Sequence, residues 1–228
     1  MVRILNGIIA LVIVLTVSIL LPLTMTDGQP PSVTNSLIVT KNKIDTMNST
    51  SIFDGKTLDG WRMAGSGNFV VTENNTLQSG GQGIFWYTKK KYDNFVLKLD
   101  WKVTEKDDNS GVFVRFPDPD NNPRIAVKEG YEIQIDDSSG NPLHKTGAIY
   151  DFAPQTKMVS NPAGQWNKME IRALDQSYTV FINGQKINEF VGNRLAEGYI
   201  GLQAHNDEST VLFRNITIKE IPRNNFQN

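Results

Sequence analysis

Hydrophobic and polar residues alternate with a period of two along much of the chain after residue 80. Between Phe95 and Val103 every second residue is apolar, and Lys98, Asp100 and Lys102 stand among the residues between them. Successive side chains of a β-strand point to opposite faces, so this alternation predicts half-buried strands. The same pattern predicts a strand over 131–136, where Tyr, Ile and Ile alternate with Glu, Gln and Asp.

An Asn-Gly pair at 183–184 separates two further strand-like runs, 178–182 and 185–190. Both residues of such a pair tolerate positive φ, so the pair predicts a two-residue hairpin. Additional strands are predicted at 84–87, 111–116, 146–150, 166–173, 199–205 and 211–221. No helical period follows residue 50. These features predict an all-β domain over 51–222, a two-sheet antiparallel β-sandwich without helices between its strands, followed by a tail at 223–228.

The N-terminal region has a different pattern, because residues 8–23 carry no charge and residues 4–5 extend the apolar run. Arg3 precedes this run, and the next basic residue is Lys41, so we expect the N-terminus to stay cytoplasmic and the rest to be exported. Residues 1–26 therefore predict a hydrophobic helix, and because no small-x-small cleavage site follows the run, an uncleaved signal anchor is favoured over a cleaved signal peptide. The domain is then membrane-anchored through residues 4–23, or secreted. Residues 27–50, rich in Pro, Ser, Thr and Asn, predict a flexible linker.

Composition narrows the choice of partners and cofactors. The net charge of -1 gives no reason to expect a nucleic-acid partner, and the absence of cysteine excludes thiolate chemistry. Two histidines leave little material for a multi-histidine metal site. No cofactor is predicted with certainty. The run Asp118 to Asn122 could offer oxygen ligands to calcium or another divalent metal, but an exposed polar turn is the favoured interpretation because EF-hand spacing is absent.

Eight short strings, in this order and spacing, resemble the 3-keto-disaccharide hydrolase domain family of the concanavalin A-like lectin/glucanase superfamily. They are Phe53–Trp61, Asn109–Arg115, Gly130–Asp136, Thr146–Tyr150, Gly164–Asn167, Val180–Gly184, Gly201–Gln203 and Phe213–Ile216. The resemblance implies a jelly-roll sandwich and action on sugars whose C3 hydroxyl is oxidised to a ketone. The ketone makes the C2 proton acidic, so a base, an enolate stabiliser and an acid at the glycosidic oxygen can cleave the glycoside by elimination, after which water adds.

The strand over 131–136 carries the first candidate group. Glu132, Gln134 and Asp136 lie at i, i+2 and i+4, so their side chains share one sheet face. At about 3.3 Å per residue, Glu132 and Asp136 stand roughly 13 Å apart along the strand. Direct hydrolysis by two carboxylates needs separations of about 5–9.5 Å. This strand alone therefore favours elimination, with Glu132 as an acid/base residue and Gln134 and Asp136 as substrate-binding residues.

His205 is the second acid/base candidate, because a histidine that ends a polar-facing strand titrates near neutral pH. A surface histidine bonded to a loop is the alternative. Gln203 shares its face and is assigned to substrate binding. Family members often carry Asp where this chain has Ala204, which removes a carboxylate that Asp207 or Glu208 could replace.

Four more residues complete the predicted substrate site. Arg115 is placed on the same sheet face as Phe113, where it either binds sugar oxygens or pairs with Glu132 or Asp136. Trp86 follows a glycine-rich turn and is predicted to stack on a sugar ring. Tyr150 offers a hydroxyl to the cleft, and Asn109 begins one of the family strings.

The sequence thus predicts an exported enzyme that cleaves 3-keto-glycosides, with Glu132 and His205 as its acid/base pair. The alternative is a non-catalytic carbohydrate-binding or adhesive module on the same sandwich. Both hypotheses require a carbohydrate partner, and neither specifies an oligomeric state. A structural envelope protein that binds no sugar is the third alternative.

Overall fold

The computed structural model describes residues 47–223. Within this range thirteen β-strands, one short α-helix and one 3-10 turn are present. The strands are β1 Thr50–Ser51, β2 Trp61–Gly65, β3 Asn68–Val71, β4 Leu77–Gly80, β5 Gly83–Tyr92, β6 Phe95–Val103, β7 Ser110–Phe116, β8 Tyr131–Ile135, β9 Asn167–Leu174, β10 Ser177–Ile182, β11 Gln185–Val191, β12 Gly198–Ala204 and β13 Val211–Glu220. The helix α1 is Arg124–Glu129, and the 3-10 turn is Pro142–His144. The predicted hydrophobic helix, most of the linker and the end of the tail lie outside the described residues.

The strands form two antiparallel sheets, as the alternation predicted. The large sheet has eight strands in the order β11-β10-β9-β6-β13-β4-β3, with β1 paired to β13. The small sheet has five strands in the order β2-β5-β12-β7-β8. The prediction of an all-β two-sheet sandwich is therefore confirmed. No helix within residues 47–223 combines the length and the apolar character that a membrane span requires.

The core lies between the two sheets and follows the period-two pattern. On β6 the side chains of Phe95, Leu97, Leu99, Trp101 and Val103 are all buried. They face Val112, Val114, Ile133, Ile200 and Leu202 of the small sheet within one hydrophobic cluster. Burial of an aliphatic or aromatic side chain of this size contributes about 1.5–3 kcal/mol, so these alternating positions fix which face of each strand is internal.

The Asn183-Gly184 hairpin is confirmed. The two residues have φ values of 49° and 77°, which a two-residue turn between twisted strands requires. Asn183 also binds the neighbouring strand, because its Oδ1 accepts a hydrogen bond from the backbone nitrogen of Lys168 at 2.9 Å.

Two local predictions are wrong. The segment 146–150 is not a strand, since only Ile149 makes isolated bridges, to Ile133 and Ala153. Positive φ values of 85° at Gly147 and 63° at Asp151 turn the chain before a ladder can extend. The expectation that no helix lies between the strands also fails at α1. Its six residues are too few to show a helical period in the sequence.

Helix α1 packs on the outer face of the small sheet. Its buried Ala126 contacts a cluster that β5 and β7 present on that face, which contains Ile84, Trp86, Phe113 and Phe116. The helix therefore covers part of the outer face and leaves the rest open beside it.

Candidate functional site

A cavity of about 420 Å³ lies on the open part of the small sheet's outer face. Strands β8 and β12 supply its floor, and α1 supplies one wall through Pro123, Arg124 and Val127. The loop that follows β8 supplies the opposite wall through Ser139, His144 and Tyr150. The cavity thus collects side chains from segments that are far apart in the sequence.

Seven of the nine residues predicted for the site line this cavity. They are Asn109, Glu132, Gln134, Asp136, Tyr150, Gln203 and His205. Trp86 and Arg115 do not line it. The period-two rule therefore placed the strand residues on the correct face.

Glu132 lies on the floor against a glycine of the neighbouring strand. In the register of β7 and β8, Gly111 stands opposite Gln134, and Phe113 stands opposite Glu132. A Cβ atom on Gly111 would lie 2.8 Å from Cγ and 2.9 Å from Cδ of Glu132. The glycine therefore provides the space into which the Glu132 carboxyl group folds.

The environment of Glu132 favours its neutral form. Burial raises the pKa of its carboxyl group from 4.5 to about 8, and the negative charge of Asp151 adds to this rise. A hydrogen bond from Gln203 acts in the opposite direction but does not outweigh them. Glu132 consequently holds its proton at neutral pH and can act as a hydrogen-bond or proton donor.

The Gln134 amide contacts both Glu132 and Asn109. Its surroundings are best satisfied when its nitrogen faces Glu132, where it donates to Oε1 at 3.0 Å and to the Ser110 carbonyl oxygen at 3.2 Å. In the opposite orientation the nitrogen donates to Asn109 Oδ1 at 3.3 Å. Gln134 therefore links the protonated carboxyl group to the next polar side chain of the floor.

Asp136 is fully occupied by protein donors. Its Oδ1 accepts from the backbone nitrogen of Ser138 at 2.8 Å, from Ser138 Oγ at 2.7 Å and from the backbone nitrogen of Ser139 at 3.0 Å. Its Oδ2 accepts from Asn109 Nδ2 at 3.1 Å. The carboxylate therefore anchors the loop after β8 and orients Asn109 toward the cavity.

His205 is partly buried at the end of β12. Burial lowers the pKa of its imidazole below 6.5, and the charge of Asp136 partly offsets this effect. Within the described residues, His205 Nδ1 and Gln203 Oε1 are buried and have no hydrogen-bond partner. Buried polar atoms are rarely left unpaired, so these two atoms beneath the cavity surface mark positions that a bound water or ligand would satisfy.

The sequence suggested that Asp207 or Glu208 could replace a carboxylate missing at position 204. Ala204 packs in the core between the sheets. Asp207 and Glu208 are exposed and do not line the cavity, so neither supplies a carboxylate there. The carboxylate that acts on His205 is Asp136, from the adjacent floor.

A second histidine of the cavity was missed at the sequence level. His144 Nε2 lies 2.7 Å from Asp151 Oδ1, and the imidazole stacks on the Tyr150 ring at 4.2 Å between centroids and 11° between planes. The available signal was that His144 is one of only two histidines and precedes the family string at 146–150. The turn that brings Asp151 back to it left no pattern in the sequence.

The predicted position of Arg115 is wrong. Its side chain is fully buried and donates to the Asp93 carbonyl oxygen at 3.0 Å, to Tyr178 Oη at 3.0 Å and to the Asp175 carbonyl oxygen. Pairing of β12 with β7 shifts between Val114 and Phe116, and Arg115 has a φ of 53° at this bulge. The extra residue reverses the alternation, so Arg115 points into the protein and away from the cavity.

Trp86 is also not the predicted sugar platform. It faces outward from the small sheet, but it is buried in the cluster with Ala126 of α1 and packs against Tyr199 at 4.6 Å between ring centroids. The Tyr199 ring and the apolar cluster on this face therefore occupy the position that a sugar ring would need.

The polar run at 118–122 forms a turn that satisfies neighbouring backbone groups. Asp118 Oδ1 accepts from the backbone nitrogen of Asp120 at 2.8 Å, and Asn121 Oδ1 accepts from that of Gly65 at 3.1 Å. Across residues 47–223, no three histidine or carboxylate side chains are grouped so that they could hold a metal ion.

The fold and the site together define a class of protein. A cavity on one sheet in which carboxyl, amide and imidazole groups converge, two of them with shifted pKa values, is a candidate active site for a small molecule. Residues 48–219 match the family described as the 3-keto-alpha-glucoside-1,2-lyase-like domain, and the chain belongs to this family.

Individual relatives agree with this placement. The chain is 27% identical over 235 residues to a 3-keto-disaccharide hydrolase of Bacteroides thetaiotaomicron, covering 77% of this chain and 79% of the relative. A solved structure from Parabacteroides distasonis, whose name assigns it to the glycosyl hydrolases, is 28% identical with a TM-score of 0.65 and covers 76% of this chain and 100% of its own. A Bacillus subtilis protein with a galectin-like fold shares the fold, with 15% identity, a TM-score of 0.60 and coverage of 76% and 94%.

Proposed function

We propose that the cavity cleaves glycosides whose C3 hydroxyl has been oxidised to a ketone, by elimination of the aglycone and subsequent addition of water. Membership of the family and the relative named as a 3-keto-disaccharide hydrolase support this substrate class. Residues 4–23 predict that the reaction takes place outside the cytoplasm.

One observation carries the proposal: a neutral carboxyl group and a neutral imidazole share the cavity at pH 7. The pKa of Glu132 is raised to about 8, and the pKa of His205 is lowered. Two titratable groups whose environments displace their pKa values in opposite directions are a feature of acid/base sites. At neutral pH the carboxyl group can donate and the imidazole can accept a proton.

In the elimination half of the reaction, His205 removes the C2 proton. The electrons of the C2–H bond pass toward the C3 carbonyl oxygen, where Glu132 stabilises the developing negative charge by donating a hydrogen bond. The enolate then expels the aglycone as the C1–O bond breaks and a C1–C2 double bond forms. A protonated carboxyl group suits this role better than a carboxylate, which would repel the enolate.

In the hydration half, water adds its oxygen to C1 and gives up a proton, which balances the proton that the departing aglycone takes up. His205, whose imidazole has exchanged its proton with the solvent, delivers a proton to C2. The sum of the two halves is hydrolysis without an oxidant or a metal in the balance. Asn109, held by Asp136, and Gln134 and Tyr150 provide hydrogen-bonding groups that orient the sugar.

The test compares aglycone release by the purified full-length chain from a 3-keto-glucoside and from the matched unoxidised glucoside. We expect turnover of the keto substrate only, and loss of about 10²–10⁴-fold in Glu132→Ala and in His205→Ala. Gly140→Ala is the control, because a Cβ there meets no atom within 4 Å.

Equal turnover of both glucosides would contradict the elimination mechanism. If neither is cleaved and glycan binding survives both cavity variants, the protein is instead the non-catalytic carbohydrate-binding module.

A further inference from the structure

The proposed reaction has three chemical requirements, and two residues meet only two of them. His205 accepts the C2 proton and Glu132 stabilises the C3 oxygen. The glycosidic oxygen still needs a proton as the C1–O bond breaks, because an alkoxide is a poor leaving group. The inference below rests on the proposed function and concerns this third requirement.

His144 is held in the cavity wall by three neighbours. Asn141 caps the 3-10 turn, since its Oδ1 accepts from the backbone nitrogen of Leu143 at 3.1 Å. Asp151 fixes one side of the imidazole through the 2.7 Å contact to Nε2. The Tyr150 ring supports one face of the imidazole. A histidine oriented by a carboxylate at one nitrogen presents its other nitrogen in a defined direction.

His144 and His205 approach the floor from opposite sides. The segment carrying His144 and Tyr150 runs along the outer edge of β8, where the backbone nitrogen of Tyr150 donates to the Glu132 carbonyl oxygen at 2.9 Å. His205 follows β12, which is separated from β8 by β7. Strand β8, which carries Glu132, therefore lies between β12 and the segment of His144, and all three side chains line the same cavity.

The remaining nitrogen of His144 is open. In the part of the chain that the structure describes, Nδ1 makes no hydrogen bond, and it is absent from the buried polar atoms, unlike Nδ1 of His205. The side chain is 29% exposed and lines the cavity. Nδ1 can therefore exchange a proton with a substrate or with water.

We propose that His144 is the acid that protonates the glycosidic oxygen, with Asp151 and Tyr150 as positioning residues. The proton on Nδ1 passes to the aglycone oxygen while the C1–O bond breaks. The same nitrogen then takes a proton from the water molecule whose oxygen forms the new bond to C1. His144 ends the cycle as it began, so the two proton transfers balance.

Asp151 has two effects in this arrangement. Its carboxylate lies 2.7 Å from Nε2 and accepts the Nε2 proton, so that the imidazole keeps its orientation while Nδ1 donates. Its charge also helps to keep Glu132 protonated, since it raises the pKa of that carboxyl group. One carboxylate thus supports both proton donors of the proposed reaction.

The experiment separates C2 proton removal from aglycone departure. Methyl and 4-nitrophenyl 3-keto-glucosides are incubated in D₂O with the full-length chain, and C2 deuteration of remaining substrate and aglycone release are both measured. We expect His144→Gln to lower methanol release by about 10²–10³-fold, whereas release of 4-nitrophenol, which needs no acid, falls less than about 10-fold. Deuterium exchange at C2 should stay near the wild-type rate.

Two comparisons complete the design. Asp151→Asn should show the same dependence on the leaving group with a smaller loss, and Asp207→Asn, at an exposed carboxylate outside the cavity, should match the wild type. Retained 4-nitrophenol release shows that a variant is folded.

Equal losses for both glycosides and for C2 exchange in His144→Gln would overturn the assignment, and so would unchanged methanol release. A wild-type chain that neither exchanges C2 nor releases either aglycone would instead overturn the proposed function, and with it this role.

Discussion

The outer faces of the two sheets each carry a partly or fully buried glutamate, and the two glutamates behave oppositely. On the large sheet, burial raises the pKa of Glu170, but hydrogen bonds and charges from Arg172 and Lys98 outweigh it and lower the pKa overall. The contacts are short, at 2.5 Å to Arg172 Nε and 3.0 Å to Lys98 Nζ. On the small sheet no cation of residues 47–223 forms an ion pair with Glu132, and its pKa rises to about 8.

The difference separates a stabilised surface from a reactive one. The large sheet pairs its charges, as Arg214 Nε does with Asp100 Oδ2 at 3.2 Å while its guanidinium covers Trp166 at 3.9 Å from the ring centroid. The cavity leaves His205 Nδ1 and Gln203 Oε1 without partners. The presence or absence of a paired cation therefore distinguishes the two glutamates, although both lie on outer sheet faces.

The largest expected effect is on the pH dependence of stability. Folded Glu132 keeps its proton up to about pH 8, whereas an unfolded glutamate releases it near 4.5, so folding loses stability as the pH rises through this interval. Between pH 5 and 8 this group should lower the free energy of unfolding by about 4 kcal/mol, at about 1.4 kcal/mol per pH unit. Urea unfolding of the wild type and of Glu132→Gln at several pH values measures the difference.

Glu170→Gln is the matched control for this measurement. Because the pKa of Glu170 is lowered, its contribution is present above pH 4.5 and is lost as the pH falls, which is the opposite sign. A Glu132→Gln variant with the same pH dependence as the wild type would contradict a neutral buried carboxyl group.

The next effect concerns Arg115, a buried charge whose hydrogen bonds are all filled. Arg115→Met leaves the carbonyl oxygens of Asp93 and Asp175 without this donor. At about 1–3 kcal/mol for each unsatisfied buried group, we expect the free energy of unfolding to fall by roughly 3 kcal/mol. The activity of each folded molecule should not change. An Arg115→Met variant that is stable but inactive would show that Arg115 contributes to the substrate site, contrary to its buried position.

A smaller loss is expected at the glycine beneath Glu132. In Gly111→Ala the new methyl group would overlap Cγ and Cδ of Glu132, which must move. Overpacking of this kind costs about 1–3 kcal/mol, and displacement of the carboxyl group should reduce activity more than stability. Gly140→Ala serves again as the neutral control. Full activity of Gly111→Ala would mean that the position of Glu132 is not critical.

The smallest effect is expected on the large sheet. Asp100→Asn weakens one partly exposed ion pair with Arg214, and such pairs contribute about 0–1 kcal/mol. Thermal unfolding in low and high salt should show a small shift that salt reduces. A loss of activity in this variant would show that the outer face of the large sheet also contributes to function, contrary to the comparison of the two sheets.

Local periodicity predicted most of the fold and the floor of the cavity. Burial forces period two on β6 and β8, and the same rule placed Glu132, Gln134 and Asp136 on one face. The rule fails at Arg115 because one bulged residue reverses the faces of the strand, and the sequence carries no local mark of it. It misjudged Trp86 because an apolar cluster on the outer face, which includes Tyr199 and Ala126 of the unpredicted helix α1, buries that side chain.

The wall of the cavity could not be predicted from the sequence, for a different reason. His144, Tyr150 and Asp151 come together through a tight turn in which Asp151 has a φ of 63°. Their association is a tertiary contact without a repeating pattern, so only the folded chain reveals it.

The most direct test of the account is the fate of the C2 hydrogen. The full-length chain cleaves a 3-keto-glucoside in D₂O, and the released 3-keto-sugar is examined at once by NMR for deuterium at C2, against an enzyme-free incubation of the same product. Elimination followed by hydration predicts deuterium at C2 above the enzyme-free level. Release of a sugar that retains protium at C2 would show direct hydrolysis and contradict the mechanism.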